Sequence, residues 1–132
     1  MNLENLDYQL KVMTRDQYYK VAVIGSRGFN QYDVLCKILD DNLNISEIIS
    51  GGAMGADSLG ERYAIERGIP VTIFRPDWDK YGKRAGFIRN TDIVTAADII
   101  VAFWDGISKG TANSIATAGR LGKPVIIINY KQ

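Results

Sequence analysis

Apolar positions along the chain gather into five short unbroken runs. They are KVAVIG (20–25), SEIIS (46–50), PVTIF (70–74), DIIVAF (98–103) and PVIII (124–128). Continuous β-branched runs of this length suit strands buried on both faces of a parallel sheet. The segments between them carry helical spacing instead. Over 31–43, Tyr32, Leu35, Cys36, Leu39 and Leu43 share one face, and over 56–67 Ala56, Leu59, Tyr63 and Ala64 do the same. Gly68 and Pro70 stop the second of these helices. Segments 84–97 and 110–121 read as two more, the last closed by Gly122 and Pro124. This alternation predicts an α/β fold, a single Rossmann-like three-layer sandwich with right-handed crossovers. A parallel sheet of about five strands in the order 3-2-1-4-5 is the default for such a chain.

Residues 1–19 break the rhythm. Tyr8, Leu10 and Val12 alternate with Gln9, Lys11 and Met13, which reads as an extra edge strand. The expected organisation is an N-terminal extension over 1–19 and one domain over 20–132. A length of 132 residues fits that single domain, with enough chain to bury one core.

Composition narrows the chemistry. Histidine is absent, which excludes a Ser-His-Asp triad, a Cys-His dyad and histidine-based zinc sites. Any reaction must use carboxylates, arginine, lysine, hydroxyls and backbone groups; neither a metal nor a cofactor is expected. The one cysteine, Cys36, rules out an internal disulfide, and its helical face reads as that of a buried structural thiol. A net charge of +1 provides no general field for nucleic acid, so nucleic acid is not the expected partner. The apolar runs are strand-sized, and MNLENLDYQL lacks the layout of a signal peptide, so a cytoplasmic protein with no membrane contact is expected.

Three strand exits carry unusual residues. The first strand leaves through Gly25-Ser26-Arg27-Gly28. The second leaves through Gly51-Gly52-Ala53-Met54-Gly55-Ala56-Asp57, and the fourth through Trp104-Asp105-Gly106-Ile107-Ser108-Lys109-Gly110-Thr111. Each precedes a helix, so free N–H groups and a positive dipole end face the edge of the sheet where such folds bind ligands. One glycine turn alone reads as architecture; three on one edge read as a place where phosphate oxygens come close to the main chain. No exit has the dinucleotide G-x-G-x-x-G spacing or the glycine frame of a P-loop, so spacing supports a generic anion site. Asp57 fits two roles, a helix-start acid or an acceptor for ribose hydroxyls. Ser58-Leu59-Gly60-Glu61 has the form of a capping box, which makes Ser58 structural.

The stretch RPDWDKYGKRAGFIRN (75–90) is the basic part of the chain. Arginines there suit phosphate, and Trp78, Tyr81 and the nearby Trp104 suit stacking on a base, or else packing onto the core. Arg84 and Arg89 are about one and a half helical turns apart and cannot share one stripe, so the two would have to reach a ligand from different directions. Asn90 follows directly.

In order and spacing, VAVIGSRGF, IISGGAMGAD, GKRAGFIRN and VAFWDGISKGT resemble the SLOG superfamily, most closely its YspA-like branch of bacteria and phages. The resemblance covers about residues 20–128. It implies a Rossmann-like domain that binds or senses a nucleotide or nucleotide-derived ligand, and homodimers or higher homo-oligomers are common among such domains. The more distant cytokinin-activating phosphoribohydrolases carry P-G-G-x-G-T-x-x-E after the corresponding strand. Gly110-Thr111 matches its G-T, while the catalytic glutamate position holds Ser114. An upstream arginine of those enzymes corresponds to Arg84. The missing acid argues against this N-glycoside hydrolysis, which needs an anion beside an oxocarbenium-like centre, unless Asp57 or Asp105 replaces it. DNA-processing protein A, with a related glycine turn and single-stranded DNA as ligand, supplies a third reading. The ligand set implied is therefore Gly25, Ser26 and Arg27 at the first exit and Gly51, Gly52, Met54, Gly55 and Asp57 at the second. Arg84, Arg89 and Asn90 join them, with Trp104, Asp105, Ser108, Gly110 and Thr111 at the fourth.

Overall fold

The computed structural model describes residues 17–131. The edge strand expected within 1–19 lies outside these residues. Five parallel strands form one sheet in the order β3-β2-β1-β4-β5. They are β1 (Tyr19–Gly25), β2 (Ile45–Ser50), β3 (Val71–Ile73), β4 (Ile99–Trp104) and β5 (Val125–Asn129). Between them run α1 (Tyr32–Asn42), α2 (Ala56–Arg67), a single turn α3 (Trp78–Tyr81), α4 (Ala85–Ala96) and α5 (Lys109–Arg120).

Period-two alternation along β1 sorts the core into two layers. Val21 and Val23 face a cluster that includes Leu35 and Leu39 of α1, Tyr63 and Ala64 of α2, and the stacked pair Phe29–Phe103, whose centroids are 4.7 Å apart. Ala22 and Ile24 face the other layer, built on Ile93 and Val94 of α4, Ala118 of α5, and Ala97 and Ala102. The alanines there keep the side chains short between helix and sheet. Cys36 packs, half-buried, against the first cluster. On the same side α1 is clasped to α2: Tyr63 donates to Asp40 at 2.6 Å, and Arg67 grips both oxygens of that carboxylate at 2.9 and 2.7 Å. The guanidinium holds the Asp40 carboxyl below its ordinary range.

The basic stretch 75–90 is more ordered than a loop. Asp77 accepts from the Lys80 amide at 3.1 Å and starts α3; a 3-10 turn over Gly82–Arg84 then leads into α4. Helix α4 therefore begins at Ala85, and Arg84 sits on the turn before it. No helix among the described residues is long and apolar enough to cross a membrane.

Strand β1 is the point where the chain changes direction across the sheet. It pairs with β2 on one side and β4 on the other, and Gly25 lies opposite Phe103. The exits of β1 and β4 consequently diverge from adjacent positions, leaving a crevice between the loops that follow them.

Candidate functional site

A cleft of about 430 Å³ occupies that crevice. Gly25, Ser26, Arg27 and Gly28 line it from β1, Ala53 and Asp57 from the β2 exit and the start of α2, and Arg89 and Asn90 from α4. Asp105 and Ser108 line it from the β4 exit, and Gly110, Thr111 and Ser114 from the first turns of α5. Among the described residues no group of acids or cysteines is placed to hold a metal ion.

Asp57 has the strongest electrostatic signature. It is 6% exposed, and its Oδ2 accepts from the amides of Gly51 at 3.0 Å and Ala53 at 3.4 Å. Burial pushes its carboxyl up to about 6, against the opposing pull of the Ala53 amide, the Arg89 charge and the Gly51 amide. Arg89 donates to the Gly51 carbonyl at 2.6 Å and through Nε to Asn90 at 3.0 Å. Its own proton affinity is lowered first by burial and further by Arg27, while Asp57 raises it. Asn90 passes the chain of contacts to α5, donating to the Gly110 carbonyl at 3.4 Å and to Asn113 at 3.1 Å.

The β4 exit is held by its own acid. Asp105 accepts the amides of Ile107 and Ser108, both at 2.8 Å, and the Ser108 hydroxyl at 2.9 Å. These donors, the Ser108 amide first, draw its carboxyl down to about 2. Ser26 ties this loop to β1, accepting from the Asp105 amide at 3.0 Å and the Ser108 hydroxyl at 3.2 Å. Helix α5 begins at Lys109 with no side chain capping it, and Thr111 is 6% exposed. The opening of α5 thus presents N–H groups and a positive dipole end to the cleft.

Six residues marked from the sequence lie outside the lining: Gly51, Gly52, Met54, Gly55, Arg84 and Trp104. Met54 is 70% exposed, and Arg84 stays on the exposed 3-10 turn. Arg89 alone of the two arginines enters the cleft. Trp104 donates from Nε1 to the Ser108 carbonyl at 3.1 Å, so its ring braces the loop.

Two of the marked glycines lie against other parts of the chain. Gly55 has φ +78°, and a Cβ there would collide with the Ser26 and Arg27 carbonyls. Gly52 has φ +73°, and a Cβ there would come within 2.8 Å of the Arg75 guanidinium. At Gly55 the neighbours are backbone carbonyls and at Gly52 the far end of a side chain, and positive φ favours glycine at both.

The capping box is also not formed. Gly55 occupies the cap position of α2, so the helix starts before Ser58. Ser58 instead donates to the Ala53 carbonyl at 3.3 Å, and Glu61 accepts from buried Ser50 at 2.6 Å. Ser50 in turn accepts from the Gly52 amide at 3.2 Å, which steadies the glycine loop from behind. Ala53, Gly28 and Ser114 join the lining without having been marked as ligand residues. For Ser114 the signal was available, since it lies four residues after Gly110 on one helical face.

Residues 19–81 match the model of the YspA, cpYpsA-related SLOG family. The Gene 61 protein of Mycobacterium phage D29 is 37% identical, over 81% of this chain and 94% of that protein. In three dimensions the chain resembles DNA processing protein A from Streptococcus pneumoniae, with a TM-score of 0.64 at 20% identity. That match covers 90% of this chain but only 51% of the other, so the chain spans about half the length of that protein.

Proposed function

The chain belongs to the YspA, cpYpsA-related SLOG family, and from that premise we propose that its cleft binds or senses a nucleotide or nucleotide-derived small molecule. One observation carries this reading: Arg27, Arg89 and the uncapped start of α5 converge on one cleft at the point where the strand order reverses. Cations and a helix N-terminus are the complement of a phosphate group. The buried Thr111 hydroxyl, which has no hydrogen-bond partner among the described residues, belongs to this anion end. Asp105 stays an anion beside this end, with its oxygens turned onto the Ile107 and Ser108 amides and the Ser108 hydroxyl, so the ligand's phosphate sits toward Arg27, Arg89 and the start of α5.

Native mass spectrometry of gently purified protein tests the reading, together with calorimetric titration of nucleoside monophosphates, NAD and ADP-ribose. Saturable binding of one ligand per chain is the expected result, weakened at least about tenfold by Arg89→Ala through loss of charge-assisted bonds. Absence of binding by every one of these compounds, and of any ligand carried through purification, would rule it out. The same spectra count subunits, and a homodimer or higher homo-oligomer is the proposed state.

A second reading, N-glycoside hydrolysis, is favoured by one feature. Asp57 has a carboxyl at about 6, in the range where an acid exchanges protons near neutral pH. Against it, Ser114 stands at the acid position, and its hydroxyl is turned onto the Gly110 carbonyl at 3.3 Å. Incubation with the same nucleotides should release no free base over many cycles. Multiple turnovers abolished by Asp57→Asn would establish the hydrolase instead.

A further inference from the structure

Most polar groups around the cleft are consumed by the protein itself. Ser26 and Ser108 bond to each other and to Asp105, Asn90 is engaged at both ends, and Ser114 returns to its own helix. Asp57 is different. Its Oδ2 holds the Gly51 and Ala53 amides, while its Oδ1 has no hydrogen-bond partner among the described residues. The residue lines the cleft and is 6% exposed. A carboxylate oxygen taken out of water without a donor is costly, and structures retain such groups where something else completes them.

The charges around this carboxylate do not complete it. Arg89 acts on it across space, with its own hydrogen bonds directed to Gly51 and Asn90. Glu61, one turn further along α2, is a second acid and repels it. Arg27 lies on the β1 exit and affects Arg89. What is lacking is an O–H or N–H donor from within the cleft. A phosphate has none to offer in its ionised form, so the donor must come from another part of the ligand.

We propose that Asp57 is a specificity-determining residue, whose free Oδ1 accepts a hydrogen bond from a sugar hydroxyl of the ligand. This deepens the nucleotide reading and rests on it. A ribonucleoside 5′-phosphate has the required chemistry at its two ends, an anion for the α5 side and a vicinal diol for Asp57. A site that hydrogen-bonds a hydroxyl rejects the analogue lacking it strongly, because its buried group is then left unpaired. The acid is rigidly presented, since the same carboxylate bonds two amides of the glycine loop.

Calorimetry on the full chain with the four ribonucleoside 5′-monophosphates and their 2′,3′-dideoxy counterparts provides the test. Wild type should prefer the best ribonucleotide over its dideoxy form by at least about tenfold. Asp57→Asn should compress that ratio to about threefold or less, because a neutral amide is a weaker partner. Thr111→Val, acting at the anion end, should weaken both forms together and leave the ratio standing. Equal affinity of wild type for ribo and dideoxy forms would overturn the assignment of Asp57 while leaving the nucleotide reading intact. Failure of both forms to bind would overturn the assignment of Asp57 to a ribonucleoside 5′-phosphate, and the nucleotide reading would fall with it only if NAD, ADP-ribose and any ligand carried through purification were absent too. The wild-type ratio needs no variant to fold, and melting temperatures report whether the variants do.

Discussion

Asp57 performs two tasks that pull against each other. It ties down the glycine loop through Gly51 and Ala53, and it does so as a buried acid whose carboxyl is pushed up to about 6. A raised carboxyl means that the folded chain binds a proton more tightly than the unfolded chain does. Stability is therefore undiminished below 3.8, falls as pH rises toward about 6, and stays lower above it. The loss is at most about 3 kcal/mol, a little over two units at 1.36 kcal/mol each. Asp57→Asn avoids this cost. Its melting temperature should exceed that of wild type at pH 7.5, and the gap should close toward pH 4. A variant less stable than wild type at pH 7.5 would mean that the bonds from Gly51 and Ala53 outweigh the burial cost. Retention of so unfavourable an acid is what a binding position shows when function and stability conflict.

The helices contribute by how closely they approach the sheet. Gly60 lies buried in α2, where a Cβ would come 2.7 Å from the Val23 Cβ of β1. The missing side chain lets α2 lie directly on the strand, and α2 carries Asp57 at its first turn. Gly60→Ala should therefore lower stability by about 1–3 kcal/mol through overpacking and weaken nucleotide binding with it. Gly119 is the opposite case, near the end of α5 with nothing within 4 Å of its Cβ position. Gly119→Ala should raise stability by about 0.5–1 kcal/mol and leave binding unchanged. Thermal melts followed by circular dichroism, with calorimetry on each folded variant, check the pair. Gly60→Ala with wild-type stability would mean that α2 is free to shift.

Over the whole molecule, charge is balanced at +1, and the cleft lining pairs Arg27 and Arg89 with Asp57 and Asp105. Such a protein should bind a mononucleotide about as well as an oligonucleotide. Binding along a strand would instead strengthen with length and fall steeply with salt, as each phosphate contact releases counterions. Titration of a single-stranded DNA length series at two salt concentrations separates the cases. Strong length dependence with a steep salt slope would favour the nucleic-acid reading over the small-ligand pocket. The likeness to DNA processing protein A concerns the fold and leaves that choice to the measurement.

The strands, the longer helices and the sheet order were legible in the sequence by itself, because hydrophobic period and helix stops are local properties. The edge of the sheet bearing the cleft was legible too, from Ser26-Arg27, Asp57, Asp105 and Gly110-Thr111 at strand exits. The tertiary structure alone decided which marked residues meet. Arg89 reaches Gly51 across 38 positions of sequence, while Arg84, on the turn outside the helix, does not enter the cleft. Gly52 and Gly55, marked as phosphate-loop glycines, lie beside the Arg75 side chain and the Ser26 carbonyl, neighbours that no local pattern names. Trp104, chemically suited to stack on a base, is used to brace the Ser108 carbonyl. Two of these outcomes, Arg89 on Gly51 and the Ser26 carbonyl beside Gly55, depend on which loops the parallel register of β1 with β2 and β4 brings side by side. That register is a long-range property, set by packing two layers of side chains at once, and no local pattern contains it.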